Sequence, residues 1–396
     1  MNLTILGSTG TIGKNTLSII NKIDKRINIF ALTAKSNIQL LYSQIKKFTP
    51  RYAVVLDPKD AEKITIKCKQ NNIKTKILSG KNNYCFVATH TKVNYVLSAI
   101  VGAAALEPTY LAVKNGKIIL LANKESLIMS GSLMMNQARK SKSLIIPVDS
   151  EHNAIFQILM SSGIEYNHLG ISGSNNIKQI ALTASGGPFL GFSKRKLSKV
   201  TPKEATRHPT WKMGKKISVD SASMINKGLE IIEAKYLFNM DADKINVLVH
   251  PQAIIHGLVT YKDNSSISFM SYPDMRIPIS NLLFPNKEVD LSDLYLDLAK
   301  IKELNFYNVD DNKFPAINLA KEVARIGGLA PNAFNYINEK LVNLFINKRI
   351  NFLDIVNFNI STLDKYFASN SNIKKPTIDD ISNLNKWLDS NIYLGD

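Results

Sequence analysis

The chain has 396 residues, 45% of them hydrophobic and 21% charged, which fits a folded globular protein and excludes a disordered or collagen-like one. That length calls for two or three packed domains rather than a single core. The formal net charge of +18 invites a nucleic-acid reading, but Lys and Arg are scattered among Asn and Ile, as from Lys59 to Lys76, without aromatic interleaving; no nucleic-acid partner is expected, and the excess reads as surface lysine with some pull on anionic small molecules.

Met1 leads directly into an apolar stretch, Leu3 to Leu6, with no basic leader or cleavage-site pattern. Apolar runs such as Ile118 to Ala122 fall far short of the roughly 20 residues of a membrane helix, so a cytoplasmic protein without a membrane partner is expected. Cys68 and Cys85 lack metal-binding or catalytic spacing and read as reduced structural residues.

Short apolar runs then alternate with helical stretches: Leu3 to Leu6, Ile27 to Leu32, Tyr52 to Leu56, Tyr95 to Val101, Lys117 to Ala122 and Leu144 to Val148. This alternation predicts an α/β fold whose residues 1–149 form a Rossmann-like, doubly wound parallel sheet. Residues 150–284 mix strand-like runs (Gln179 to Thr183, Ile245 to Val249, Ser266 to Met270) with one strong helix after Ser221, and predict a central α+β catalytic domain. Residues 285–311 are polar and irregular and read as a linker. Phe314 to Ile326, Pro331 to Ile346, Phe352 to Phe367 and Thr377 to Ser390 have helical periodicity, so residues 312–396 are expected to form a C-terminal helical bundle.

Gly7-Ser-Thr-Gly10-Thr-Ile-Gly13 follows the first strand and opens a helix with an apolar stripe of Ile12, Leu17, Ile20 and Ile23. Glycines let backbone approach a pyrophosphate, and the helix start supplies free N–H groups, so a dinucleotide is expected at this turn. The second strand ends in Ala34-Lys35-Ser36-Asn37, with no carboxylate for a free ribose hydroxyl; a lysine and a hydroxyl there suit the 2′-phosphate of NADP, unless Lys35 is only a solvated loop residue. Asn123-Lys124-Glu125 ends another strand, where ligands of open parallel sheets sit, although the triplet alone reads equally as a helix start.

Asp149 and Glu151 close the strand Leu144 to Val148; in an extended chain they share one side, and two hard oxygen donors suit Mg²⁺ or Mn²⁺. Asn226, Lys227 and Glu230 share a helix face. The turn Ser185-Gly186-Gly187, together with Ser221, Asn226 and Lys227, offers the donors a phosphate needs. The loop His208-Pro-Thr-Trp211-Lys212-Met213-Gly214 has the make-up of a lid that excludes water.

Taken in order, these segments, together with Thr183-Ala-Ser-Gly-Gly-Pro-Phe189, Val249-His-Pro-Gln252, Tyr272-Pro-Asp-Met-Arg-Ile-Pro278 and Asn335-Tyr-Ile-Asn-Glu339, resemble the 1-deoxy-D-xylulose 5-phosphate reductoisomerase family along nearly the whole chain. The resemblance implies a homodimer that rearranges this sugar phosphate and reduces the product with NADPH to 2-C-methyl-D-erythritol 4-phosphate, an isoprenoid precursor. It implies a divalent metal (Mg²⁺ or Mn²⁺, or Co²⁺) on Asp149, Glu151 and Glu230, which with Lys124 carry the catalysis. Substrate contacts carried over are Lys124, Ser150, Glu151, Ser185, His208, Trp211, Ser221, Asn226, Lys227 and Glu230. Cofactor contacts carried over are Gly7, Thr9, Gly10, Thr11, Ile12, Lys35, Ser36, Asn37, Asn123, Glu125 and Gly214. The residues alone also fit a metal-independent NADP-linked dehydrogenase of another phosphorylated substrate, or a basic binding module without turnover.

Overall fold

Strands that are apolar on both sides need cover on both faces, and the first half of the chain is built that way. Its strands are β1 (Asn2–Leu6), β2 (Asn28–Ala34), β3 (Tyr52–Val55), β4 (Lys76–Ser79), β5 (Tyr95–Ser98), β6 (Ile118–Leu121) and β7 (Ile145–Pro147). They form one parallel sheet in the order β4-β3-β2-β1-β5-β6-β7. The computed structural model describes residues 1–23, 27–171, 176–211, 213–285, 289–369 and 372–392.

Leu3, Ile5, Leu32, Val55 and Leu97 pack on one side of this sheet, and Leu6, Val54, Val96 and Ile119 on the other. In the helix Thr11–Lys22, Leu17 and Ile20 are buried as the stripe requires, joined by Thr16 and Ile19, while Ile12 is only partly covered. Strand β4 has no counterpart among the sequence expectations. It is the sheet edge, its residues are exposed or half-buried, and its lysine-rich surroundings lack the apolar run that marks an inner strand.

A small hairpin of β8 (Tyr166–Asn167) and β9 (Gly170–Ile171) leads into the central sheet of β10 (Ile177–Ala184), β11 (Ile245–Val249), β12 (Ile255–Tyr261), β13 (Ser266–Met270) and β14 (Tyr307–Asn308). Their order is β13-β12-β10-β11-β14. Strand β12 was missed because His256 and Gly257 interrupt its apolar pattern. Segment 285–311 is more than an irregular connection: it contributes β14, which pairs antiparallel with β11, and a short helix, Leu298–Ile301. Before it, the helix Arg276–Leu283 turns back onto the first sheet, where Ile279, Leu283 and Phe284 join the core that holds Leu3 and Ile5.

The helices Ala316–Ile326, Ala330–Ile346, Asp354–Ser369 and Ile378–Asn391 form the C-terminal part. Thr377 and Asp380 start the last of them with a capping box. Phe334, Ile337 and Phe345 share one continuous core with Ile155 and Leu182 of the central part.

One crossing positions the site. The helix Lys124–Ser141 leaves regular geometry at Ser130 (φ −128°, ψ 17°), whose Oγ donates to the Ser126 carbonyl at 2.7 Å. Next to it, Gly131 meets the ring of Tyr236 on the helix Ile225–Phe238; a Cβ there would stand 2.2 Å from the ring. The two helices therefore approach closely, which brings the N-terminal residue of one, Lys124, against Glu230 of the other. Among the described residues no helix is long and apolar enough to cross a membrane.

Candidate active site

At the sheet's carboxyl edge, the strand order reverses at β1, which leaves a crevice between β1 and β5. Gly7 turns there with φ +86°, and a Cβ on it would lie 2.5 Å from the carbonyl oxygen of Ala99, just past β5. Ser8 points inward, donating to Gln44 Oε1 at 2.8 Å, so the turn presents its backbone outward. Gly10 is the extended N-cap of the helix Thr11–Lys22 and supplies no side-chain cap; Gly10 and Thr11 are exposed, Thr9 and Ile12 partly so. The first amides of this helix face a place where an anion fits.

Lys35 and Ser36 are exposed at the end of β2. Asn37 has a structural task, since its side chain accepts from the Leu40 amide at 3.1 Å and caps the helix Ile38–Phe48. Asn123 likewise caps the helix Lys124–Ser141 through the Ser126 amide at 2.8 Å, while its Nδ2 donates to Glu125 Oε2 at 2.8 Å. Lys216 Nζ stands 3.7 Å from Glu125, and Gly214 caps the Lys215–Ala222 helix in extended conformation with open space around it.

Asp149, Glu151 and Glu230 converge: each offers an oxygen, and these atoms all lie within 4.8 Å of one another. The expected alternation along an extended strand is not how the first two meet. Asp149 is the N-cap position of the helix Ser150–Ser161 and Glu151 lies in its first turn, so a helical turn gathers them. Glu230 arrives from the facing helix with Asn226, whose Nδ2 donates to Glu230 Oε1 at 2.5 Å. Lys124 Nζ sits among Asp149 Oδ2 (2.8 Å), Glu230 Oε1 (3.0 Å) and Asn226 Oδ1 (3.0 Å). Lys227 Nζ bridges Glu151 Oε1 (2.5 Å) and Glu230 Oε2. Ser150 Oγ donates to Glu151 Oε2 at 2.5 Å.

The electrostatics follow from crowding acids where water is scarce. Burial acts to raise the Asp149 carboxyl, but Lys124 and His152 outweigh it and hold it well below its usual range. Burial, then Glu230, pushes Glu151 up to about 7 despite Lys227. Burial also opposes the charge on Lys124, yet Asp149 and Glu230 keep it protonated. Three hard oxygen donors with two ammonium groups already drawn among them make a cluster that holds positive charge, and its donor set fits Mg²⁺ or Mn²⁺.

At the far end of β10, Gly186 (φ +83°) and Gly187 (φ +64°) fold the turn after Ser185; a Cβ on Gly187 would stand 3.2 Å from the Ser221 carbonyl, so this turn abuts the Lys215–Ala222 helix. His208 Nδ1 accepts from the amides of Thr210 (3.2 Å) and Trp211 (2.8 Å). Its hydrogen therefore sits on Nε2, which donates to Ser185 Oγ at 3.0 Å. Burial pushes this imidazole down to about 4, so it is neutral at physiological pH. Trp211 is half-buried, its ring 6.3 Å from that of His256; Lys212, between Trp211 and Met213, lies outside the described residues.

Sequence reasoning gave no role to three buried side chains beside the site. His152 Nε2 lies 2.9 Å from the Glu230 carbonyl, and its Nδ1 is 3.6 Å from both Asp149 Oδ1 and Glu233 Oε2. The available signals were spacings: His152 is three residues past Asp149, and Glu233 three past Glu230, so each shares a helix face with a candidate ligand. His256, on β12, has no such signal.

Comparison with known proteins agrees with this arrangement. Three family models match: 1-deoxy-D-xylulose 5-phosphate reductoisomerase over residues 3–131, its C-terminal domain over residues 145–238, and a further DXP reductoisomerase C-terminal domain over residues 270–390. A 1-deoxy-D-xylulose 5-phosphate reductoisomerase from Acinetobacter baumannii is 46% identical over 361 residues, 91% of this chain and 90% of the relative. One from Stutzerimonas stutzeri is 42% identical over 381 residues, 96% of this chain and 94% of the relative. A crystal structure of DOX-P reductoisomerase in complex with NADPH, fosmidomycin and magnesium superposes with a TM-score of 0.88 at 37% identity, covering 98% of this chain and 97% of that one. The Zymomonas mobilis enzyme in complex with NADPH gives 0.86 at 35% identity, covering 98% and 96%. By sequence along nearly its full length and by fold, the chain belongs to the 1-deoxy-D-xylulose 5-phosphate reductoisomerase family.

Proposed function

We propose that this protein converts 1-deoxy-D-xylulose 5-phosphate to 2-C-methyl-D-erythritol 4-phosphate, an NADPH- and divalent-metal-dependent step of non-mevalonate isoprenoid precursor synthesis. The observation that carries the reading is the meeting of Asp149, Glu151 and Glu230, from two segments far apart in sequence, within 4.8 Å at the carboxyl edge of a dinucleotide-type sheet.

In this reading residues 1–149 bind NADPH, residues 150–284 carry the metal, substrate and dimer contacts, and residues 312–396 support them beyond the 285–311 connection. Asp149, Glu151 and Glu230 hold Mg²⁺ or Mn²⁺. When bound, the cation supplies Lewis acidity to a ketone and its neighbouring hydroxyl, and the nicotinamide supplies the hydride. Ser185, His208, Ser221, Asn226 and Lys227 hold the phosphate end, with the fixed tautomer of His208 keeping Ser185 oriented. Ser150 and Lys124 face the substrate hydroxyls, and Lys124, tied to the acid cluster, sets their distance from the reacting carbons. Trp211 covers the substrate and keeps water out. The backbone of Gly7, Thr9, Gly10, Thr11 and Ile12 takes the pyrophosphate. Lys35, Ser36 and Asn37 lie toward the 2′-phosphate, and Asn123, Glu125 and Gly214 toward the nicotinamide half.

A homodimer is part of the proposal. Strand β13 is an open sheet edge, and Ile267, Met270 and the following Tyr272 are exposed there at 45%, 41% and 49%. An apolar edge of this kind is what a second copy covers. A cytoplasmic setting suits the two free cysteines, Cys68 and Cys85.

The test follows NADPH oxidation by absorbance with 1-deoxy-D-xylulose 5-phosphate, with and without Mg²⁺ or Mn²⁺. Turnover that requires both substrate and metal is expected. Turnover that survives EDTA would favour a metal-independent dehydrogenase, and salt-sensitive nucleic-acid binding without NADPH oxidation would reject an enzyme.

A further inference from the structure

Behind the acid cluster lies a group that the chemistry above does not use. His152 is fully buried, and its Nε2 faces the backbone carbonyl of Glu230 at 2.9 Å. A carbonyl only accepts, so Nε2 carries a hydrogen and this contact anchors the ring. Nδ1 then points between Asp149 Oδ1 and Glu233 Oε2, at 3.6 Å from each. That distance is too long for a hydrogen bond, and none of the three atoms has a hydrogen-bond partner among the described residues. Glu233 itself is 1% exposed, and a buried carboxylate left this way is costly unless it serves something.

We propose that Glu233 is a positioning residue for the cation site, acting through His152. With a hydrogen on each ring nitrogen, the imidazolium is anchored at Nε2 and pivots its Nδ1–H toward one carboxylate or the other, and Glu233 holds it midway. Asp149 is thereby spared a full bond to His152 and stays available to the Asp149–Glu151–Glu230 cluster. Take away the charge at position 233 and the ring swings onto Asp149 Oδ1; with Oδ2 already on Lys124, Asp149 then meets a cation with both oxygens engaged. Outer partners of this kind set metal affinity in many sites, typically by 10–100-fold. The proposal rests on Asp149 being a metal ligand.

The experiment measures Mn²⁺ binding to the chelator-stripped full chain by the paramagnetic resonance of free Mn²⁺, with NADPH affinity by fluorescence as the control for folding. Glu233→Gln is expected to weaken Mn²⁺ binding by roughly 10–100-fold. NADPH affinity should be unchanged, and kcat should recover at saturating Mn²⁺. Glu233→Asp, which keeps the charge but withdraws it, should lose less, and it serves as the second variant if the glutamine form folds poorly. In a His152→Asn background the glutamine substitution should have less than about a threefold effect, because no ring remains to swing.

Unchanged Mn²⁺ affinity in Glu233→Gln overturns the proposal. So does an equal loss in both backgrounds, which would mean that Glu233 acts by its field alone. Two Mn²⁺ ions per chain, one of them lost with Glu233, would replace it with a second cation site on Asp149, His152 and Glu233. Asp149→Asn separates the layers: if it loses Mn²⁺ while Glu233→Gln does not, only the positioning role falls, whereas if it keeps Mn²⁺ the metal assignment falls and takes the positioning role with it.

Discussion

The two ends of the cleft are built from different materials. At the cofactor end the surface on offer is backbone: Gly7 turns at φ +86°, Ser8 is tucked inward, and an uncapped helix start faces the crevice. At the acid end it is side chains, with three carboxylates and two lysines from three separate helices within ion-pair reach. A backbone site is fixed by local geometry and fails when the geometry cannot form. A side-chain site is fixed by packing between distant elements, and it fails when one charge is left without its counterpart.

The sharpest way to break this contrast is at the acid end. Asp149→Asn or Glu230→Gln should lower kcat by about a thousandfold or more, the scale of several kcal/mol of charge stabilisation. NADPH affinity, measured by fluorescence, should stay near its original value. Loss of both together would mean that the two ends are one cooperative unit. The converse substitution, Gly7→Ala, forces a Cβ to within 2.5 Å of the Ala99 carbonyl at a left-handed φ. It should cost on the order of 2–3 kcal/mol in urea unfolding and weaken NADPH binding. Mn²⁺ affinity should hold, because the atoms nearest that Cβ belong to Ala99 and Ile100 rather than to the acid cluster.

The same contrast explains what could be read in advance. The glycine turn is contiguous, so Gly7, Gly10 and Gly13 announce it, and the C-terminal helices Ala316–Ile326 and Ala330–Ile346 are marked by their own periodicity. Strand β4 escaped because an edge strand buries too little to need an apolar run, and β14 because two residues completing a sheet edge carry no pattern. Asp149 and Glu151 stood out locally as two hard oxygen donors at a strand end, but their joining with Glu230 into one ligand set was legible only through the family resemblance. The local argument for the first pair, alternation along a strand, was wrong, since Asp149 begins a helix. Glu233 and His152 were invisible as a pair because their partnership exists only after two helices pack.

Asn37 sharpens the comparison at smaller cost, because it is both a candidate cofactor contact and an observed helix cap. Asn37→Ala should lose about 1 kcal/mol of stability from the missing cap, read from the urea midpoint. Asn37→Asp keeps the cap and adds a negative charge beside Lys35. If Asn37 only caps, the aspartate variant retains both stability and NADPH affinity. If it also lies against the 2′-phosphate, the aspartate variant keeps stability but loses preference for NADPH over NADH.

The smallest expected effect concerns acid, and it separates the proposed phosphate end from both others. Burial pushes His208 and His256 down to about 4, below the roughly 6.5 of an unfolded histidine. Between those values the unfolded chain binds protons that the folded chain refuses, so stability rises with pH across this window. The contribution is complete above about 6.5 and fades as pH falls toward 4. Glu151 and Glu233, pushed up to about 7, take up protons in the folded chain over the same window and act in the opposite sense, so the histidine share is read by difference. Between pH 5 and pH 7 the urea midpoint of His256→Asn should rise less with pH than that of the parent, since His256 is only 5% exposed and has little solvent screening to blunt it. His208 is only half-buried, so His208→Asn should have a smaller effect on the slope. It should instead raise KM for the phosphorylated substrate, because the Ser185 hydroxyl loses the donor that orients it. An unchanged slope in the His256 variant would show that the protons are taken up elsewhere, and would leave the phosphate end defined by its hydrogen bonds alone.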